Sequence, residues 1–386
     1  MFEEEIETLR RKGLLRRLRQ VESASSGRIV IEGKTYLNLS SNNYLGLATH
    51  PQIKEAVIHA IHRYGIGAGA SPLISGHTTL HQELAEKVAR FKGTEAALIF
   101  STGYMANVGI LSALLGDGDL VFVDRLSHAS IIDGCRMSRA TLRVFPHRDT
   151  RSLARRLERV SPGQRILIVT DGVFSMDGDL APLPEIVKLA KRHDAMVMVD
   201  DAHATGVLGP TGRGTIEHFG LEGQVPIQMG TLSKAIGAFG AYVAGSHELI
   251  TYLINRSRSY IYTTSLPTAF AAASLVALDL IEKEPQIRHQ LWDNRNYYEN
   301  GIKALGYNTL QSETPIIPLL VGKTGLALEM SNQLLARGVF APAIRPPTVP
   351  QGMARIRTSL MSTHTRGDLD FALEVLQKVG KGLGII

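Results

Sequence analysis

The sequence predicts an α/β protein with a mostly parallel central sheet in a large domain and a smaller α+β domain after it. Two observations carry that expectation. Short β-rich runs at Ala96–Phe100, Leu120–Val123, Leu142–Phe145, Ile166–Val169 and Met196–Val199 alternate with helical periods of ten or more residues. Several of these runs are apolar on both faces, which a strand needs only when helices cover the sheet on both sides.

Each element follows from its local pattern. Residues Phe2–Gln20 place Ile6, Leu9, Leu14, Leu15 and Leu18 among Arg10, Arg11, Lys12, Arg16, Arg17 and Arg19, and are expected to form a basic amphipathic helix. Alternation from Arg28 to Leu39 around Gly33-Lys34 predicts a hairpin, ended by Ser40-Ser41-Asn42-Asn43-Tyr44. Helices and strands then alternate to about Ile281. Beyond it come a polar helical region over Glu284–Leu305, a strand over Ile316–Val321, a helix to Arg337, a strand over Arg355–Ser359 and a last helix from Asp368. The expected division is an arm over 1–45, a large α/β domain over 46–280 and a small domain over 281–386. No internal repeat is present.

Composition narrows the functional classes. Forty-two Lys and Arg against 36 Asp and Glu give a net charge of +6 over 386 residues, and 44% of residues are hydrophobic. That is a folded, mildly basic chain without a nucleic-acid recognition motif. Neither nucleic acid nor membrane is an expected partner. The near-uncharged stretches Ala96–Gly116 and Ser259–Leu278 carry Ser101, Thr102 and Asn107, or Thr263, Thr264 and Pro267, and read as interior rather than membrane-spanning. The lone Cys135 forms no internal disulfide, and the charged N-terminus lacks the apolar core of an export signal, so a cytoplasmic location is expected.

Three familiar motifs are rejected. Gly65-Ile66-Gly67-Ala68-Gly69-Ala70 matches the dinucleotide-binding glycine pattern but follows a helical segment where that motif needs a strand. Gly322-Lys323-Thr324 ends like a phosphate loop, yet Ile317 stands in place of its first glycine. There is no Gly-x-Ser-x-Gly elbow. His77 and His81 lack the companion residues of a metal site, and no metal is expected.

The chemistry gathers at strand ends. Met196–Val199 runs into Asp200-Asp201-Ala202-His203, and Gln228-Met229-Gly230 leads to Thr231-Leu232-Ser233-Lys234 in apolar, glycine-rich surroundings. Phe122-Val123-Asp124 leads to Arg125-Leu126-Ser127-His128. Ligands of α/β sheets bind at the carboxyl ends of strands. A lysine amine, an acid for a ring nitrogen and a ring to stack are what pyridoxal phosphate requires, and Lys234, Asp200 and His128 supply them.

With those segments, Ser40-Ser41-Asn42-Asn43-Tyr44-Leu45-Gly46 and Gly172-Val173-Phe174-Ser175-Met176-Asp177-Gly178, the chain resembles, almost end to end, the α-oxoamine synthases among the fold-type I pyridoxal-phosphate enzymes. The resemblance implies an acyltransferase that joins an amino acid to an acyl thioester with loss of carbon dioxide. It implies Lys234, His128, Asp200 and His203 as catalytic residues. Gly103, Tyr104, Ser175, Thr231, Ser233 and Thr264 would join them in holding the cofactor. Asn42 and Arg345 would face the substrate carboxylate, and Arg16 and Thr348 the acyl substrate. Ala343-Ile344-Arg345-Pro346-Pro347-Thr348-Val349-Pro350 points within the family to L-alanine and a pimeloyl thioester, on CoA or a carrier protein, with glycine and an acetyl group as the alternative. A homodimer with shared sites is also implied, through Tyr262-Thr263-Thr264-Ser265. The chain departs from the family at Ala204, where glycine is common, and at Pro72, which fixes φ and removes a donor near the substrate.

Overall fold

A computed structural model describes residues 2–16 and 18–386. Met1, in the expected arm, and Arg17, in its expected helix, lie outside the described residues. The chain forms two compact units, one of residues 47–175 and 180–288, the other of residues up to Gly46 with 176–179 and 289–386.

The arm begins with a helix over Phe2–Arg11, shorter than expected. Its acidic first turn and basic last turn both suit the helix dipole. Gly13, at φ +64°, then turns the chain out of helical geometry, so Leu14–Arg16 and Leu18–Gln20 do not continue it. The hairpin pairs β1 (Arg28–Ile31) with β2 (Lys34–Asn38). Its turn sits one residue earlier than expected, at Glu32-Gly33, both at positive φ, as a two-residue hairpin loop requires.

The larger unit carries β3 (Ala96–Phe100), β4 (Leu120–Asp124), β5 (Thr141–Phe145), β6 (Ile166–Asp171), β7 (Met196–Asp200), β8 (Ile227–Thr231) and β9 (Ala241–Gly245). They form one sheet in the order β3-β9-β8-β7-β6-β4-β5. Pairs from β5 through β8 are parallel, and β9 runs antiparallel to both β8 and β3. The mostly parallel sheet is therefore present.

Alternation within the strands splits the core in two. Val121, Val123, Leu167, Val169 and Met198 pack with Ala106, Ile110, Leu111, Ile131 and Cys135. The intervening Leu120, Phe122, Ile166, Ile168, Val197 and Val199 pack with Leu153, Leu157, Ile186, Val187 and Ala190. Both faces are thus covered by helices, each fully buried leucine contributing about 1.5–3 kcal/mol. Burial also pushes the Cys135 thiol up to about 12, which leaves it an inert core residue.

In the other unit, β10 (Ile316–Gly322), β12 (Ala343–Ile344) and β13 (Ala354–Ser359) form an antiparallel sheet, and β11 (Val339–Phe340) adds in parallel to β2. His364 lies buried beneath it. Its Nδ1 accepts from the Met361 amide and its Nε2 faces the Asn38 carbonyl, an arrangement only the neutral ring satisfies.

Burial pushes the His364 pKa below its ordinary 6.5. Between the lowered folded value and the unfolded value the unfolded chain binds more protons, so stability rises with pH through that window. The contribution of His364 is expected to be full at neutral pH and to be lost as pH falls through about 6.5, by up to roughly 1.4 kcal/mol per unit. Thermal midpoints measured between about pH 8 and about pH 5 should drop on the acid side, and less steeply in His364→Gln. A flat profile in the wild type would contradict a neutral buried His364.

Candidate active site

The carboxyl ends of β4, β6, β7 and β8 converge on a cavity of about 190 Å³, as the parallel order of these strands dictates. Of the expected residues, Gly103, Tyr104, His128, Ser175, Asp200, His203, Thr231, Ser233 and Lys234 all line it. Thr264 does not. It lies in the irregular segment after Tyr262, against Pro72, Phe100 and Ser259.

The neighbouring acids Asp200 and Asp201 part company at the strand end. Asp201 turns into the interior, where its carboxylate pairs with the buried Lys92 at 3.1 Å and accepts from the Thr215 amide. Gly214, at φ +108°, permits that packing, since a Cβ there would fall 2.1 Å from Asp201 Oδ2. Asp200 faces the cavity. Its Oδ1 accepts from the Ala202 amide at 3.0 Å and its Oδ2 from Asn107 Nδ2 at 2.8 Å.

Asn107 is the residue that binds the site together. The other hydrogen of its amide reaches Ser130 Oγ at 2.9 Å, and Ser130 Oγ lies 2.7 Å from His128 Nδ1. Because the Ser130 amide also donates to Nδ1, that nitrogen is the acceptor and the ring proton sits on Nε2. One amide side chain thereby fixes both the carboxylate and, through a serine, the imidazole tautomer. Its Oδ1 is buried without a partner among the described residues.

Asp171 is a second cavity acid that the motif reading passed over. It accepts from the His128 amide at 3.1 Å. Burial, reinforced by the charge of Asp200, holds its pKa well above the carboxylate range. Burial at this position therefore favours the protonated form of Asp171.

The helix Gly103–Leu114 starts at the cavity wall, capped by Thr102 through the Met105 amide, and its first amides are unsatisfied within the helix. A Cβ at Gly103 would press on Met229 at 3.2 Å. Tyr104 stands half exposed with its hydroxyl on Asp133 at 2.6 Å. A helix N-terminus beside the hydroxyls of Ser175, Thr231 and Ser233 is an anion cradle. The amine of Lys234, the buried carboxylate of Asp200 and that cradle are the donor set for a carbonyl cofactor with a ring nitrogen and a phosphate, so pyridoxal phosphate fits the residues present.

The expected substrate residues belong to the other unit. Arg16 Nη2 meets Thr348 Oγ1 at 3.3 Å. Arg345 gives Nε and Nη2 to the carbonyls of Gly13 and Leu15, which ties the arm to the segment around β12. Beside Asn42 stands a different guanidinium. Arg357, buried in β13, donates to Asn42 Oδ1 at 3.1 Å and to Ser359 Oγ at 2.8 Å. Its neighbour Arg355 pairs with Asp177. His81, set aside as a metal ligand, completes a capping box with Thr78.

Fold and cavity together define a lysine-dependent transferase built on a parallel sheet. The sequence pattern of the class I and II aminotransferases matches residues 34–376, and the chain belongs to that family. Over all of its length it is 52% identical to the 8-amino-7-oxononanoate synthase of Geobacter metallireducens, covering 99% of that chain, and 50% identical to that of Thermoanaerobacter pseudethanolicus, covering 98%. Among solved structures, a serine palmitoyltransferase from S. paucimobilis with bound PLP superposes with a TM-score of 0.95 at 35% identity, over 100% of this chain and 98% of the other. The 8-amino-7-oxononanoate synthase of Francisella tularensis gives 0.79 at 30% identity, over 91% and 99%.

Proposed function

We propose that the chain condenses L-alanine with a pimeloyl thioester, releasing carbon dioxide and a free thiol and giving 8-amino-7-oxononanoate for biotin synthesis, with pyridoxal phosphate as cofactor. The cavity that sets a lysine amine against a buried, amide-clamped carboxylate carries this reading. Support for the substrates comes from relatives of that name at 47–52% identity, well above the 35% shared with the serine palmitoyltransferases. The reaction is assigned to the cytoplasm. Among the described residues no helix is long and apolar enough to cross a membrane.

Bound pyridoxal phosphate supplies an electron sink for the pair released when a bond to Cα breaks. The residues provide everything else. Lys234 would hold the cofactor through its Nζ and, once the amino acid has taken its place, would act as the amine base at the Cα proton. Asp200 keeps a proton on the ring nitrogen, and Asn107 and the Ala202 amide hold the carboxylate in place for that task. His128, whose Nδ1 accepts from the Ser130 amide, would stack on the ring, and His203 would serve its oxygen. The Gly103 helix start and the hydroxyls of Ser175, Thr231 and Ser233 take the phosphate. Cα would bond to the thioester carbonyl as the thiolate departs and takes a proton from solvent, and once carbon dioxide has left, Lys234 Nζ would return to Cα the proton it had removed, completing the amino ketone.

Asn42 with Arg357 takes the alanine carboxylate in this reading. Arg345, whose guanidinium is already held by two carbonyls, instead fixes the arm that brings Arg16 to Thr348 for the acyl substrate. A homodimer is part of the proposal. Ile66, Leu73, Ile74 and Tyr262 expose large apolar side chains in two segments, a burden a soluble monomer rarely carries. Thr264 would then serve the cavity of the second copy.

The test is product analysis of the cofactor-loaded protein. L-alanine with pimeloyl-CoA or pimeloyl carrier protein should yield equal amounts of carbon dioxide and 8-amino-7-oxononanoate. Faster turnover of glycine with acetyl-CoA at saturating concentrations would overturn the substrate assignment.

A further inference from the structure

The positive charge of the chain is not spread evenly. Between Arg136 and Arg165 stand nine arginines against only Asp149 and Glu158, a surplus of seven in thirty residues where the whole chain has +6. The rest of the sequence is therefore close to neutral. These arginines occupy the end of the helix Ala129–Met137, the outermost strand β5, the helix Thr150–Leu157 and the turns between and after them. Because β5 is an edge strand, Arg143 and Val144 are both exposed.

Few of the charges are neutralised. Arg165 pairs with Asp119 at 2.7 Å, and Arg136 approaches Asp133 at 4.0 Å. Arg143, Arg155 and Arg159 make no ion pair among the described residues, and Arg156 has only a 3.4 Å contact to Ser152 Oγ. Arg143, Arg156, Arg159 and Gln164 rim a hollow of about 320 Å³ floored by Leu120 and Phe122. Like charges gathered this way repel one another and lower stability slightly, so the fold itself does not call for them.

We infer that this edge is the docking surface for an acidic carrier protein that presents the acyl thioester. The inference rests on the condensation reading above and decides between its two donors. A second copy of the chain is a poor occupant, since a two-fold contact sets arginine against arginine. Nucleic acid fits less well too. The one aromatic side chain in the stretch, Phe145, is buried and offers no platform for bases, whereas Met137 and Val144 lie exposed among the arginines. Apolar points within a ring of one charge sign suit a protein partner of the opposite sign.

Position allows the same occupant. In the sheet order β5 lies three strand spacings, about 14 Å, to the side of β7, and by strand register Arg143 stands three residues, about 10 Å, back from the level of Asp200 toward the amino ends of the strands. A carrier docked here would deliver its thioester on a flexible arm that passes from the edge to the carboxyl ends.

The experiment compares the holoenzyme with a variant carrying Arg143→Glu, Arg156→Glu and Arg159→Glu. The kcat/KM for pimeloyl carrier protein should fall at least about tenfold, as expected for reversed steering charges, while that for pimeloyl-CoA stays within about twofold. Carrier binding by titration calorimetry should weaken in parallel, and wild-type binding should weaken with salt. Unchanged carrier kinetics, or tight retention of duplex DNA by the patch with no carrier binding, would overturn the proposal. Equal loss with both donors would indicate damage to the fold, in which case the milder set Arg143→Gln, Arg156→Gln and Arg159→Gln decides by the same two ratios. Should the wild type turn over neither donor, the condensation reading fails, and the calorimetric arm still tests the docking surface.

Discussion

Lys234→Ala is expected to reduce turnover to background while leaving the fold intact. The side chain is half-buried at the cavity, so its truncation removes no large part of either core cluster. What it removes is the covalent hold on the cofactor and the base that takes the Cα proton, two roles with no substitute among the other cavity residues. Loss of a group acting both as nucleophile and as base is expected to cost on the order of 10⁴-fold or more. Cofactor should still enter, held by the phosphate cradle and Asp200, but should wash out on dialysis. The check is the rate of carbon dioxide release from alanine with the pimeloyl thioester, alongside a thermal midpoint near that of the wild type. Turnover within about tenfold of the wild type would remove Lys234 from the mechanism.

Asp200→Asn carries the second-largest expected effect. The amide keeps the shape of the carboxylate, and the hydrogen bond from the Ala202 amide survives. The negative charge does not. Without it the ring nitrogen loses its charged partner, and Asp171, the other acid lining the cavity, is held toward its protonated form by burial and is a poor replacement. Asparagine also offers Asn107 Nδ2 an amide that can meet it donor to donor, which disturbs the link through Ser130 to His128. Removal of a preorganised charge of this kind is expected to slow exchange of the alanine Cα proton by roughly 10²–10³-fold. An unchanged exchange rate, followed by loss of the proton signal in deuterium oxide, would show that the carboxylate does not act on the ring.

Much of this site is legible in the linear sequence, for physical reasons. Strand ends preceded by four or five apolar residues announce Asp200 and Asp124, since buried parallel strands tolerate little else. The same rule applied one strand further would have found Asp171, which follows Ile166–Val169 after a single threonine. Asn107 had a signal as well. It is the one amide in the otherwise apolar helix Gly103–Leu114, and such a group is tolerated only when its hydrogens have partners. Strand β9 was hidden by Ala241, Ala244 and Gly245, which weaken the β pattern.

Other features depend on packing that no local pattern encodes. Which of two adjacent aspartates faces the cavity follows from the buried Lys92, over a hundred residues earlier in the chain. The arm helix stops at Arg11 although the apolar spacing runs on, because Gly13 leaves helical geometry and Arg345 captures the carbonyls of Gly13 and Leu15. The motif resemblance drew attention to Arg345, flanked by prolines, rather than to Arg357. Yet an arginine inside the fully buried run Ala354–Ser359 is the rarer feature, and its burial beside Asn42 is why the proposed function gives it the carboxylate.

The account turns on Lys234 as the residue that carries the cofactor. Borohydride reduction of the cofactor-loaded protein, followed by digestion and mass mapping, reads that link directly. The phosphopyridoxyl mass is predicted on the peptide containing Thr231-Leu232-Ser233-Lys234, at Lys234 and at one equivalent per chain. Recovery of that mass on a different lysine, or of no modified lysine from protein that retains the cofactor, would contradict it.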